Sequence, residues 1–470
     1  MGVGEELTCQ RHGNPTRITC VTCDTPICPD CAIRTPVGFK CPDHATKPPA
    51  ERRSRVGLIV VPLVVLGLVG FAQLARTTGR GDPVTPPCPT ETAPDVGIGD
   101  RGGSHWKEMS PSGLCGRYHA ATVWTGTELL IWGGENCAGA SCPSIDAPHL
   151  ADGAAYNVAN DAWRKLAVSP LSKRTPAATA WTGTEMVVWG GVSEDGFLAD
   201  GAAYDPARDE WRAMAAAPLA ARNAVASAWT ERELVVWSGG DHDEGFADGA
   251  AYDPAADRWR PIAQAPIARR AGGYAAWTGR EMVVWGGVDP AGDVELEDGA
   301  AYDPVADRWR PIAAPPVEGR ADAASVWTGR ELLVWGGTTL DSTSLFADGA
   351  AYDPAADRWR RLPNAPLSAR MAPGAVWSGR ELLLWGGIGL PAAGGGALDR
   401  VIEPRTFFVP IADGAGYDPA TDRWRPLEPV PLLGRGMPVA AWDGRGMLLW
   451  GGLVVVSSPA SSAEGVRYTP

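Results

Sequence analysis

From residue 104 onward the chain alternates two short patterns of apolar and polar positions. Residues 324–337 read ASVWTGRELLVWGG, two runs rich in β-branched and aromatic side chains around a Thr-Gly pair. That pair supplies the positive φ that a tight hairpin turn needs. Residues 250–262 read AAYDPAADRWRPI, a second pair of runs that turns at Asp-Pro. Apolar runs this short, bounded by turn signals, predict strands rather than helices, four to a unit.

The unit recurs. W-G-G or W-S-G stands at Trp132, Trp189, Trp237, Trp285, Trp335, Trp385 and Trp450. In every copy an Arg sits fifteen residues earlier (Arg117, Arg174, Arg222, Arg270, Arg320, Arg370, Arg435), and another Trp eight earlier (Trp124, Trp181, Trp229, Trp277, Trp327, Trp377, Trp442). Downstream, D-G-A-A-Y or D-G-A-G-Y begins at Asp152, Asp200, Asp248, Asp298, Asp348 and Asp413, and a Trp follows its Tyr after six intervening residues. An apolar strand ending in Gly-Gly and followed by this Tyr and Trp resembles the kelch repeat. Seven copies fill residues 104–470, so the resemblance implies an all-β fold, a seven-bladed kelch-type β-propeller. The last copy stops at Tyr468-Thr469-Pro470, short of its Trp, while residues 104–110, SHWKEMS, precede Arg117 as DRWRPIA precedes Arg270. Trp106 is therefore expected to stand in the missing outer strand, so that an N-terminal strand closes the last blade and removes a free sheet edge. The recurring Trp and Tyr are expected to pack blade against blade. The seven Arg are expected to hydrogen-bond backbone carbonyls rather than to ring an anion.

A different pattern precedes the repeats. Residues 56–75, VGLIVVPLVVLGLVGFAQLA, carry no charge. At a helical rise of 1.5 Å they span roughly 30 Å, the thickness of a bilayer's hydrocarbon core, so a single transmembrane helix is expected. A signal peptide would have a shorter apolar core and would not follow a folded Cys-rich segment. Lys47, Arg52, Arg53 and Arg55 precede the span, against Arg76 and Arg80 after it. The positive-inside rule then puts the N-terminus in the cytoplasm and the propeller outside. Residues 47–55 read as a basic juxtamembrane segment, and residues 76–103, rich in Pro, Gly and Thr, as a flexible stalk.

Residues 1–46 hold four ligand pairs at metal-binding spacing: Cys9 with His12, Cys20 with Cys23, Cys28 with Cys31, and Cys41 with His44. Eight such ligands make two closed Cys3His sites with no position left for water or substrate, which points to structural zinc. So short a segment cannot bury a sufficient core, and metal binding must supply most of its folding free energy, of order 10 kcal/mol per site. The segment resembles a B-box-type zinc finger and is similar to the fingers that precede membrane helices in some bacterial rhomboid-type proteins. The B-box resemblance implies a cross-brace, with Cys9, His12, Cys28 and Cys31 on one ion and Cys20, Cys23, Cys41 and His44 on the other; sequential pairing is the alternative. One span cannot build a rhomboid protease, so intramembrane proteolysis is excluded.

Charge and the remaining cysteines narrow the function. The net charge is −13, and because residues 1–55 hold eight Lys/Arg against six Asp/Glu, the rest carries −15. So acidic a surface argues against a nucleic-acid partner. Cys88, Cys115, Cys137 and Cys142 follow the membrane segment. Outside the cell Cys137 is expected to pair with Cys142 and Cys88 with Cys115; four free thiols is the other reading. The loops after Gly-Gly at residues 135–151 and 388–412 are much longer than the rest, and long loops on a rigid scaffold are where binding residues concentrate. Copper oxidases that share the kelch fold need two His and two Tyr at the metal; the repeat region offers only His105, His119, His149 and His242, on separate segments. The sequence thus predicts a membrane-anchored binding or scaffold protein, not an enzyme, whose propeller recognises a protein or glycan; an extracytoplasmic enzyme acting on a carbohydrate or related small molecule is the alternative.

Elemental analysis of the full chain should return two zinc ions per molecule, and chelation should abolish the circular dichroism signal of residues 1–46. Less than one zinc per chain would remove the metal reading.

Overall fold

The computed structural model describes residues 105–136, 148–241, 244–290, 294–339, 344–389, 409–430, 432–455 and 459–470, together with four short strands near the N-terminus. Every regular element among them is a β-strand. The chain divides into two units, Met1–Val60 and Val61–Pro470. In the first, Leu7–Thr8 pairs with Pro15–Thr16 and Ile33–Thr35 with Gly38–Lys40, both antiparallel. Among the described residues no helix is long and apolar enough to cross a membrane. The expected span at 56–75 and the stalk at 76–103 lie outside the described residues.

Seven four-stranded antiparallel sheets are present among the described residues of the second unit. The first comprises Ala121–Trp124, Glu128–Trp132, Gly153–Asn157 and Ala162–Lys165, paired in chain order. Thr-Gly turns join its first two strands, with Gly126 at φ 97°. The other sheets begin at Ala178–Trp181, Ala226–Trp229, Tyr274–Trp277, Ala324–Trp327, Gly374–Trp377 and Val439–Trp442. Each of these first strands touches the first strand of the next sheet, and Val439–Trp442 touches Ala121–Trp124.

The seventh sheet joins strands far apart in the chain. Its order is Val439–Trp442, Met447–Trp450, Gly465–Tyr468 and then Trp106–Glu108. Tyr468 pairs with Trp106 in the register that joins Tyr204 to Trp211 in the second sheet. Trp106 is 4% exposed, and its indole N–H donates to the Glu428 carbonyl at 3.0 Å. Trp211 makes the equivalent bond to Ala167.

Packing runs from sheet to sheet. Leu130, Trp132 and Ala155 of the first sheet share a cluster with Met186, Val188, Ala202 and Tyr204 of the second. Leu448 and Trp450 of the seventh share one with Leu129, Ile131, Ala154 and Tyr156 of the first. The second strand of each sheet is buried on both faces, which is why it reads as an unbroken apolar run such as LLVW. Each large side chain removed from water here contributes roughly 1.5–3 kcal/mol. A polar clamp lies beside this core: Arg164 holds Glu128 of its own sheet with two N–H donors, at 3.2 and 2.8 Å, and donates to the Tyr204 hydroxyl of the next at 2.8 Å. The same triad recurs as Glu185–Arg212–Tyr252 and Glu331–Arg360–Tyr417.

The paired glycines are required by close approach. Gly133 and Gly134 have φ 69° and 90°, a region that L side chains avoid. A Cβ on Gly134 would lie 2.6 Å from the Tyr118 carbonyl oxygen, and one on Gly191 would lie 2.0 Å from that of Thr175. The second glycine's N–H donates to the carbonyl of the next repeat's Arg, as from Gly134 to Arg174 at 2.9 Å and from Gly452 back to Arg117 at 2.9 Å.

Gly191→Ala should therefore cost more than the roughly 1–2 kcal/mol of a left-handed alanine, because backbone must also move. Gly183→Ala, at φ 100° with open space around its Cβ, should cost only the conformational part. Urea midpoints of the two variants measure the difference, and equal values would show that close approach is not what the second glycine serves.

Candidate functional site

The seven Arg that head the repeats are buried, 0–1% exposed. Each donates through Nη1 to the carbonyl of the first residue of its own Gly-Gly or Ser-Gly pair, at 3.0–3.4 Å. Each also meets a carboxylate at the start of the third strand: Asp152, Asp200, Asp248, Asp298, Asp348, Asp413 and, in the last repeat, Glu464. These guanidinium groups are consumed within their own repeats, and they do not form an anion-binding ring.

The two residues after each Arg are where the repeats diverge. The first bridges to the residue after the paired glycines, as Tyr118 does to Glu135, Thr175 to Val192 and Gly436 to Leu453. The second takes a positive φ at His119, Ala224, Gly272, Asp322, Ala372 and Met437. Pro176 departs, because its ring holds φ near −65°. Backbone bonds link second positions of neighbouring repeats: Gly272 N–H to Ala224 at 2.8 Å, Ala372 N–H to Asp322 at 2.7 Å, and Met437 N–H to Ala372 at 3.1 Å. We call the place where these positions converge the throat. One side of it is apolar, with Tyr118, Met371, Ile388 and Leu453 buried together and Met437 packed against them.

Four side chains break the repeat here and come together. His119 and Asp322 occupy a position that is otherwise Pro, Ala, Gly or Met, Glu135 one that is otherwise uncharged, and Tyr274 one that is otherwise Ala, Gly or Val. His119 Nδ1 lies 3.5 Å from Glu135 Oε1, to which the Thr175 hydroxyl donates at 2.6 Å. Burial alone would raise the Glu135 carboxyl, but the His119 and Thr175 contacts and the nearby His149 hold it at about 2. Burial likewise disfavours the His119 cation; Glu135, and Asp322 after it, outweigh that and raise the imidazole above its ordinary value. His149 bridges to Glu135 through the backbone, and its burial pulls the imidazole down. The Tyr274 hydroxyl accepts the Ala323 N–H at 2.6 Å, next to Asp322. Among the described residues Asp322 Oδ2 has no hydrogen-bond partner. Burial pushes that carboxyl up to about 7, against the pull of His119.

The sequence reading missed this cluster. It treated His119 and His149 as scattered, yet the fold sets both beside Glu135. Comparing equivalent positions across the repeats for departures, rather than for recurrences, carries the signal. His105, by contrast, sits near Glu428, 3.7 Å away, beside the Trp106 strand. His242 lies outside the described residues, as do all eight expected zinc ligands, Cys9, His12, Cys20, Cys23, Cys28, Cys31, Cys41 and His44. Among the described residues no group of three or more His, Cys, Asp or Glu is placed to hold a metal. The long loops at 135–151 and 388–412 are described only at their bases, and Cys88, Cys137 and Cys142 lie outside the described residues. Cys115 is disulfide-bonded.

Asp322 yields a pH dependence. Its folded pKa, about 7, lies above the unfolded value of 3.8, so the native state binds the extra proton between them and stability falls as pH rises through that window. Asp322→Asn lacks this dependence. Its urea midpoint, relative to the parent, should rise between pH 4 and pH 8; a constant difference would mean that Asp322 is not a buried acid.

A family model for the KLHDC2/KLHL20/DRC7 Kelch-repeats domain matches residues 98–267, and one for the B-box zinc finger matches residues 4–36. The second match takes in Cys9, His12, Cys20, Cys23, Cys28 and Cys31 and stops before Cys41 and His44. No curated protein matches the chain. The chain therefore holds a B-box zinc finger followed by a kelch-repeat domain.

Proposed function

We propose that this is a membrane-anchored recognition scaffold: a cytoplasmic domain with two structural zinc ions, one transmembrane helix, and an extracytoplasmic, seven-bladed propeller that binds a protein or glycan partner through its throat and the loops around it. The observation that carries the recognition part is the convergence of His119, Glu135, Tyr274 and Asp322 in a repeat that is otherwise uniform. A repeat needs its recurring residues to fold; residues that depart from it at one place are free to serve a ligand. Glu135 and His149 form the base of one of the two long loops, so the polar cluster and the variable surface adjoin.

Closure of the propeller is supported by the pairing of Tyr468 with Trp106 and by the bond from Gly452 to Arg117, each joining the last repeat to the start of the domain. Placement outside the cell is supported by the uncharged segment at 56–75, its basic N-terminal flank, and the disulfide-bonded Cys115, a state that reducing cytoplasm disfavours.

The test is capture of surface partners by the full chain in detergent, against variants with residues 136–148 or 390–408 replaced by short Gly-Ser linkers. Loss of a partner in either variant supports recognition. Capture indifferent to both loops, or turnover of a carbohydrate by the parent, would favour an enzyme instead.

A further inference from the structure

We infer that the throat is a site for a primary alkylammonium group, seated with its charge against Asp322 and its aliphatic stem against the Met371, Ile388 and Met437 side. This rests on the recognition reading above and names the chemistry of what is recognised.

The charges at the throat select the sign of the ligand. Glu135 already has partners, His119 at 3.5 Å and the Thr175 hydroxyl at 2.6 Å, so those two ionisable groups neutralise one another. Asp322 is left over: the residue is half-buried, and among the described residues its Oδ2 has no hydrogen-bond partner, beside Tyr274, whose hydroxyl already accepts the Ala323 N–H. A buried acceptor without a donor is costly, and a guest that brings donors and positive charge relieves it. An anion would oppose ionisation of Asp322 rather than supply the donors its oxygen lacks. A divalent cation finds no converging set of three ligands among the described residues.

The surroundings select the shape. The second position bonded to Asp322 is small, Ala372, and so is that of the preceding repeat, Gly272. A compact ammonium with three donors suits a single carboxylate better than a planar guanidinium, whose fork suits two-point contacts. The apolar cluster of Tyr118, Met371, Ile388 and Leu453, with Met437 partly buried against it, includes the residue just before Ala372, whose N–H donates to the Asp322 carbonyl. A ligand with an aliphatic stem and a cationic tip matches both sides. A lysine side chain presented by a partner and a free small amine share this chemistry.

The experiment is isothermal titration of the full chain in detergent with three probes: n-butylammonium chloride, the tripeptide amide acetyl-Gly-Lys-Gly, and the same peptide with its lysine side chain acetylated. Both amines should bind saturably and raise the melting temperature, and the acetylated peptide should not. Asp322→Asn should weaken both amines at least tenfold and abolish the thermal shift, while Asp322→Glu should restore part of it. Tighter binding of the peptide than of butylammonium assigns the site to a partner's lysine; equal binding assigns it to a free amine. No saturable amine binding, binding unchanged in Asp322→Asn, or equal binding of the acetylated peptide would overturn the inference. If capture still depends on the long loops in that case, the recognition reading stands and only its ammonium chemistry falls.

Discussion

The structure depends on one backbone constraint repeated along the second unit: a pair of residues at positive φ, nearly always glycine, that lets two repeats meet with no side chain between them. The first glycine offers its carbonyl to the Arg of its own repeat, and the second gives its N–H to the carbonyl of the next repeat's Arg. Each Arg is thus held by its guanidinium on one side and by its backbone on the other. Burying a guanidinium is favourable only where hydrogen bonds and a carboxylate offset its desolvation, and here the Gly carbonyl and the Asp at the head of the third strand do so. Where the first glycine is replaced, by Ser238, the side chain enters the same network: its hydroxyl takes the Arg270 N–H at 2.7 Å while φ stays positive at 63°.

Around that hub the apolar layers follow. The Trp of the glycine motif is buried in every repeat and meets the Trp of the following sheet's fourth strand, as Trp132 meets Trp211 with ring centroids 5.5 Å apart. In the last such contact but one, Trp385 meets Trp106, 6.0 Å away, so Trp106–Glu108 supplies the fourth strand of the seventh sheet. A nearest-neighbour arrangement of this kind holds its stability in identical interfaces. It tolerates a local exception, because each interface is secured by its neighbours. The throat is that exception: it gives up uniformity for an acid with one unmet oxygen, a His–Glu pair and a tyrosine.

Much of this was legible in the sequence, because the repeat states its own constraints. Trp-Gly-Gly, the Arg fifteen residues before it and the Tyr and Trp after it specify four strands, their turns and their register. The role of the Arg was legible as well, since a residue present in every copy serves the copy. The pairing of Tyr468 with Trp106 was legible because SHWKEMS stands before Arg117 as DRWRPIA stands before Arg270. What the sequence determined by itself was therefore everything set by local φ, by hydrophobic period and by repetition. Only the tertiary structure decided which departures from the repeat meet. His119 and Asp322 belong to the first and fifth repeats, and no spacing along the chain relates them. They come within electrostatic range of each other because the equivalent positions of the repeats converge at the throat, although the two repeats are not neighbours. The unmet acceptor of Asp322 is likewise a property of the space around it, fixed by the side chains of other repeats rather than by its own neighbours in sequence.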